Sequence, residues 1–270
     1  MTLLNMNQRI SIVIPVYNHS SALERSFDTL IRQTYRPLEV IIVDDGSTDN
    51  LENALLSFRT KREISGSIDH RTEISPAVEM TVLHQDNRGA SAARNRGFAE
   101  ATGEFVIFWD ADTLARPEML ERLKRLLDER PEASYAYSRY KFGWKTMKSQ
   151  EFNAEDLKKY NYIDTTSLVR SSVFSPPFRG RTQEGVYGGP FDESLQRFQD
   201  WDLWLTLLEQ NKTGVFAPEV LFKKMVGDRI GISKWIPSLF FKLPWKTKAV
   251  IEYEESAKLV QKKHALWKQV

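Results

Sequence analysis

Four short apolar runs, each followed by a polar loop, constrain the fold of this chain more than any other feature. They are Arg9 to Pro15 (RISIVIP), Leu38 to Val43 (LEVIIV), Met80 to His84 (MTVLH) and Glu104 to Trp109 (EFVIFW). Rich in β-branched and aromatic residues, they lack the strict alternation of a half-exposed strand and read as strands buried on both faces. Helical patterns lie between them. Ser21 and Glu24 form a capping-box pattern, and Leu23, Phe27, Leu30 and Ile31 share one helical face. Leu51 to Phe58 is a second amphipathic run, and Ala90 to Ala101 is a small-residue helix stopped by Gly103. Strand alternating with helix predicts an α/β fold with a parallel sheet, and such sheets bind ligands beyond the carboxyl ends of their strands. Asn18, Asp44, Asp45, Arg94, Asp110 and Asp112 are therefore expected to converge on one cleft.

The fourth run ends in Asp110-Ala111-Asp112. Side chains of an extended chain alternate faces, so the two carboxylates are expected on one side, close enough to share a hard cation. Oxygen ligands favour magnesium or manganese over zinc. The competing expectation is that both acids cap the following turn, with Pro117 opening a helix at Glu118. Other chemistries are excluded more sharply. The chain has no Cys, which removes disulfides and thiolate sites. Its 38 Lys and Arg against 36 Asp and Glu leave a net charge of +2, spread without a dense basic arm, so nucleic acid is not an expected partner. No Gly-x-Gly-x-x-Gly or Walker-type Gly-Lys-Ser/Thr string follows the first strand. Neither a signal-peptide run in MTLLNMNQR nor a bilayer-length apolar stretch is present, so a soluble or peripheral protein is expected.

Taken together, VIPVYN at Val13 to Asn18, VDDGSTD at Val43 to Asp49, NRGASAARNRG at Asn87 to Gly97 and WDAD at Trp109 to Asp112 resemble the family 2 glycosyltransferases. GGPFDE at Gly188 to Glu193 and FQDWDLWL at Phe198 to Leu205 extend the resemblance, with motif order and spacing kept. It implies a GT-A type nucleotide-binding α/β/α sandwich, mostly parallel, that moves a sugar from a nucleoside diphosphate to a carbohydrate or glycolipid acceptor with inversion. By the same resemblance Pro15, Val16, Tyr17 and Asn18 line the base and ribose, Asp44 and Asp45 accept hydrogen bonds from them, and Arg94 borders the donor. Asp112 holds a Mn2+ or Mg2+ ion on the diphosphate, and Asp110 contacts metal, ribose or sugar. Asp200 corresponds to the general base, at a helix start expected to keep it ionised, with Gln199 where the family usually has an acid. The later Arg/His element has no His in Lys223 to Arg229, which leaves a third metal ligand open. The setting implied is polysaccharide biosynthesis at the cell envelope, in the cytoplasm or at the inner face of the membrane. A noncatalytic nucleotide-sugar binding protein and a sugar-phosphate nucleotidyltransferase are the competing classes. The latter would want a Gly-rich phosphate loop that VYNHSSALE lacks.

Beyond the central strand, Pro117 to Glu129 is predicted helical, Ala133 to Tyr140 and Tyr162 to Arg170 strand-like, and Ser171 to Tyr187 an irregular loop. Residues 1–230 are expected to form the catalytic domain and 231–270 a helical C-terminal extension. In the latter, Ile232 to Lys248 interleaves aromatics with lysines, which suits a membrane surface carrying anionic lipid. Packing of this segment on the domain or on a second subunit is the competing expectation.

Overall fold

The four apolar runs form parallel strands, as their two-sided burial requires. In the computed structural model, which describes residues 8–56, 78–174, 189–226 and 245–266, β1 (Ile10–Val16) lies between β2 (Leu38–Asp44) and β4 (Phe105–Phe108), with β3 (Val78–His84) outside β2. Successive residues of β1 face opposite layers. Ile10, Ile12 and Ile14 pack with α1 (Ser20–Ile31) and α3 (Met119–Glu129). Val13 joins Ile41, Val43, Val106 and Phe108 beneath α2 (Ala90–Ala99) and α5 (Gln199–Glu209). The result is an α/β/α sandwich. Gly97 lets α2 lie flat on the sheet, since a Cβ there would meet Val13 Cγ1 at 2.4 Å and Val43 Cγ2 at 3.0 Å.

Past β4 the sheet becomes mixed, in the order β3-β2-β1-β4-β8-β6-β9-β5. Here β5 is Thr113–Ala115, β6 Tyr135–Phe142, β8 Leu168–Arg170 and β9 Gly214–Lys224, while a two-residue β7 (Lys145–Thr146) closes a hairpin on β6. The long β9 runs parallel to β6 with a register shift that leaves Pro218 and Glu219 unpaired, as a proline in a sheet interior requires. The expected strand from Tyr162 shortens to β8. Asn161 Oδ1 accepts from Ile163 N (3.1 Å) and Asp164 Oδ1 from Thr166 N (2.9 Å), so these side chains turn the backbone away from a ladder. The capping box at Ser21 is displaced as well. α1 begins one residue earlier, and its Ser20 N–H donates 2.8 Å to Asp49 Oδ2, across from the loop after β2.

The C-terminal extension carries α6 (Lys248–Lys263), joined through Val260 to the same core as Trp201 and Trp204. Most of the expected loops at 59–79 and 171–187, and residues 232–244 of the aromatic-lysine segment, lie outside the described residues. Among the described residues no helix is long and apolar enough to cross a membrane.

Candidate active site

A cleft of about 640 Å³ opens where β1, β2 and β4 end. Pro15, Val16, Tyr17 and His19 form one wall, Asp45 with Arg88 to Ser91 and Arg94 a second, Asp110 to Asp112 the floor, and Glu193, Leu195, Gln196 and Gln199 the far side. Strands 10–16, 38–44 and 105–108 thus deliver their polar ends to one place because they are parallel and in register. Asn18 and Asp44 do not reach the lining. Asn18, with φ 53°, accepts at Oδ1 from Thr48 N (2.7 Å), while Asp44 accepts from Ser47 N (2.8 Å) and meets His84 Nδ1 at 3.1 Å. Both fix the turn that follows β2. Asp45 lines the cleft, with its oxygens taken by Gln85 Nε2, Arg88 N and Gly89 N, each at 2.8 Å.

The two floor carboxylates have different surroundings. Asp110 receives Arg94 Nη2 at 2.8 Å on one oxygen, and Lys224 Nζ at 2.6 Å with Thr165 Oγ1 at 3.4 Å on the other. Burial alone would raise its carboxyl, but the Lys224 and Arg94 charges hold it well below the usual carboxylate range. Lys224 also pairs with Asp164 Oδ2 at 2.7 Å, and although burial disfavours its charge, Asp110 and Asp164 raise the ammonium well above its ordinary value. Asp112 takes part in no hydrogen bond or ion pair of its side chain among the described residues; burial pushes it up to about 6, Lys224 opposing and Asp110 and Asp164 reinforcing the shift. Lys224, Asp164 and His19 were not singled out in the sequence, and Lys224 is 114 residues from the aspartate it meets. The one available signal was that Lys223 to Arg229 occupies the place of the missing His element.

Asp200 stands at the first turn of α5 beside Gln199; Gln199 lines the cleft, and Asp200 sits one residue behind that lining. Asn161 Nδ2 donates 2.7 Å to its Oδ2, and Trp201 N donates 2.9 Å to its Oδ1. The helix start does not fully offset burial, which together with the nearby Asp164 charge pushes Asp200 up to about 6. It is still mostly ionised at neutral pH, as a base must be. Its neighbour Asp202 faces the other way and is buried against α6.

Among the described residues no group of three His, Asp or Glu side chains could hold a metal unaided. Magnesium or manganese shared with a diphosphate keeps several waters and needs only one or two protein carboxylates. The unpaired Asp112 fits that role, whereas Asp110 is already neutralised by two cations. The cleft also leaves Ser91 Oγ and Arg94 Nε buried without a hydrogen-bond partner among the described residues. Buried polar atoms of this kind call for a polar occupant.

The sequence profile described as "Glycosyl transferase family 2" matches residues 11–183. The chain is 38% identical over 121 residues to the uncharacterized glycosyltransferase YibD of Escherichia coli, covering 45% of this chain and 31% of that protein. It is 27% identical over 227 residues to the uncharacterized glycosyltransferase RT0329 of Rickettsia typhi, covering 81% and 64%. This chain thus spans about a third of the first relative and just under two thirds of the second. Among solved structures, S. aureus TarS 1–349 in complex with UDP-GlcNAc gives a TM-score of 0.65 at 18% identity, over 94% of this chain and 65% of that one. Mannosyltransferase PcManGT from Pyrobaculum calidifontis in complex with GDP-Man and Mn2+ gives 0.60 at 16% identity, over 98% and 77%. At these identities the likeness is one of fold.

Proposed function

Because the chain belongs to glycosyl transferase family 2 and has its GT-A fold, we propose that it transfers one sugar from a nucleoside diphosphate to a hydroxyl of a glycan or glycolipid, with inversion and with Asp200 as the base. The observation that carries this reading is the cleft itself. It combines Asp112, Ser91 Oγ and Arg94 Nε, which have no hydrogen-bond partner among the described residues, with an exposed Tyr17 ring and, at its far side, the helix start bearing Asp200. Tyr17 offers a ring face to a base, and Arg94 and His19 face the half that would hold the diphosphate. Gln196, Gln199 and Glu193 supply amide and carboxylate groups suited to sugar hydroxyls. A Mn2+ or Mg2+ ion held by Asp112 would neutralise charge on the departing diphosphate. Lys224 supports the floor from below by keeping Asp110 and Asp164 together.

The reading is tested by thermal unfolding with UDP and GDP, each with Mn2+ or with a chelator. A ligand at one hundred times its dissociation constant stabilises the native state by about 2.7 kcal/mol. With metal, one of the two nucleotides should shift unfolding by several degrees, and most of that shift should vanish in chelator. Shifts of equal size in both conditions would remove the cation from the account.

A further inference from the structure

We propose that the C-terminal helix is a brace that sets the position of the Asp200 carboxylate, with Lys263 and His264 as positioning residues. The inference rests on the reading of Asp200 as the base. α5 enters through Phe198 in a left-handed conformation (φ 60°), which a bulky residue adopts only when its surroundings hold it there. The Phe198 ring stands edge-on to Tyr253 of α6, with ring centres 4.8 Å apart. Two residues past the catalytic position, on the opposite side of α5, the buried Asp202 carboxylate meets Lys263 Nζ at 2.7 Å and His264 Nε2 at 2.9 Å. His264 Nδ1 reaches Glu209 two turns further along at 2.7 Å. An imidazole with a carboxylate at each nitrogen donates from both and carries charge. Burial opposes that charge, while the bonds to Asp202 and Glu209 raise the imidazole above its ordinary value.

The same ammonium also holds the segment that precedes α5 on the far side of the cleft. Lys263 Nζ lies 2.8 Å from Asp192 Oδ2, and the adjoining Glu193 accepts from Asn95 Nδ2 at 3.0 Å and pairs with Arg88 at 3.3 Å. One residue of α6 thus spans the segment that closes the nucleotide wall and the helix that presents Asp200. Asp192, Asp202 and His264 are buried while Lys263 and Glu209 reach solvent, and ion pairs of this kind are often no more stabilising than apolar packing of similar volume. What this set does is define the direction in which the start of α5 points.

The test follows the Asp200 side-chain carboxyl by 13C NMR in the full chain labelled at aspartate, assigned by difference from Asp200→Asn. In the wild type the resonance should titrate near pH 6, because the group is held in a buried place. In Lys263→Met the midpoint should fall by about one unit towards the ordinary aspartate value as the helix start loosens into water. Lys263→Arg should keep the wild-type midpoint, and Tyr253→Leu, which spares the charges, should shift it in the same direction as Lys263→Met. An unchanged midpoint in both Lys263→Met and Tyr253→Leu would overturn the brace. That failure is separate from failure of the base assignment, which would show as normal turnover by Asp200→Asn.

Discussion

Asp200→Asn is expected to lower sugar transfer by a factor on the order of a hundred or more while leaving nucleoside diphosphate affinity nearly unchanged. Asparagine keeps the shape of the side chain, and its one oxygen can still accept from Trp201 N while the bond from Asn161 Nδ2 is given up, so basicity is lost at the cost of a single hydrogen bond. A single displacement needs a group that takes the proton of the attacking hydroxyl as the new bond forms, and a carboxylate with its value near 6 is ionised at neutral pH and more basic than an ordinary aspartate. The sign of the pH dependence follows. Below about 6 the folded-state carboxyl is protonated and cannot accept, so turnover should fall as pH drops through that value and level off above it. Steady-state rates of wild type and Asp200→Asn between pH 5 and 8, beside a nucleotide titration, check all three points. Asp202→Asn is the companion variant. Because Asp202 is buried against Lys263 and His264 on the far side of α5, its loss should act first on stability. Normal transfer by Asp200→Asn with a dead but folded Asp202→Asn would show the base to be misassigned.

Asp112→Asn should have an effect of similar size by a different route. With its carboxylate unpaired, Asp112 is the floor residue free to hold a cation, and metal stabilisation of a departing phosphate is worth several kcal/mol. At about 1.36 kcal/mol per factor of ten, loss of that attachment should lower transfer by roughly two to three orders of magnitude. The variant should also lose the metal-dependent part of the nucleotide thermal shift, with its unfolding temperature in the absence of ligand unchanged or raised, since a buried charge has been removed. Protons compete for the same carboxylate, so in the wild type the metal-dependent shift should fade as pH drops below about 6. Asp110→Asn makes the contrast. Its carboxylate is balanced by Arg94 and Lys224, and deleting it takes the acid from Arg94 and leaves Lys224 to Asp164 alone, at a stability cost of about 3 kcal/mol. If Asp110→Asn abolished the metal effect and Asp112→Asn did not, the two roles would be reversed.

What was legible in the sequence follows from how local each signal is. β1, β2 and β4 declare themselves because a strand buried on both faces must be apolar throughout, and their polar ends then locate the cleft. The helix at Gln199 is legible from Trp201, Trp204, Leu205 and Leu208 on one face, with Asp200 at its first turn beside that face. β9 was not, because Pro218 and Glu219 interrupt it and its pairing is specified by β6, far away in the chain. Asn18 and Asp44 carry residue types suited to ligand or turn alike, and only the structure shows Asn18 Oδ1 and Asp44 Oδ1 bonded to the loop after β2 and Asp44 Oδ2 beside His84. Lys224 is one of two adjacent lysines, and which of them turns inward depends on the β6–β9 register. The place of α6 was equally hidden, since nothing in its own sequence names the acids that its last turn meets. Asp192 and Asp202, brought together by folding, receive Lys263 there.

The stereochemistry of the product tests the central claim most directly. A nucleotide sugar chosen by the nucleotide screen is incubated with enzyme, metal and a glycan or glycolipid acceptor, and the configuration of the new linkage is read by proton NMR from the anomeric proton of the transferred sugar. Attack by one hydroxyl, deprotonated by Asp200 and opposite the departing diphosphate, predicts that an α-linked donor gives a β-configured product. An α-configured first product would mean that the bond is not made by a single displacement, and would contradict the role given to Asp200.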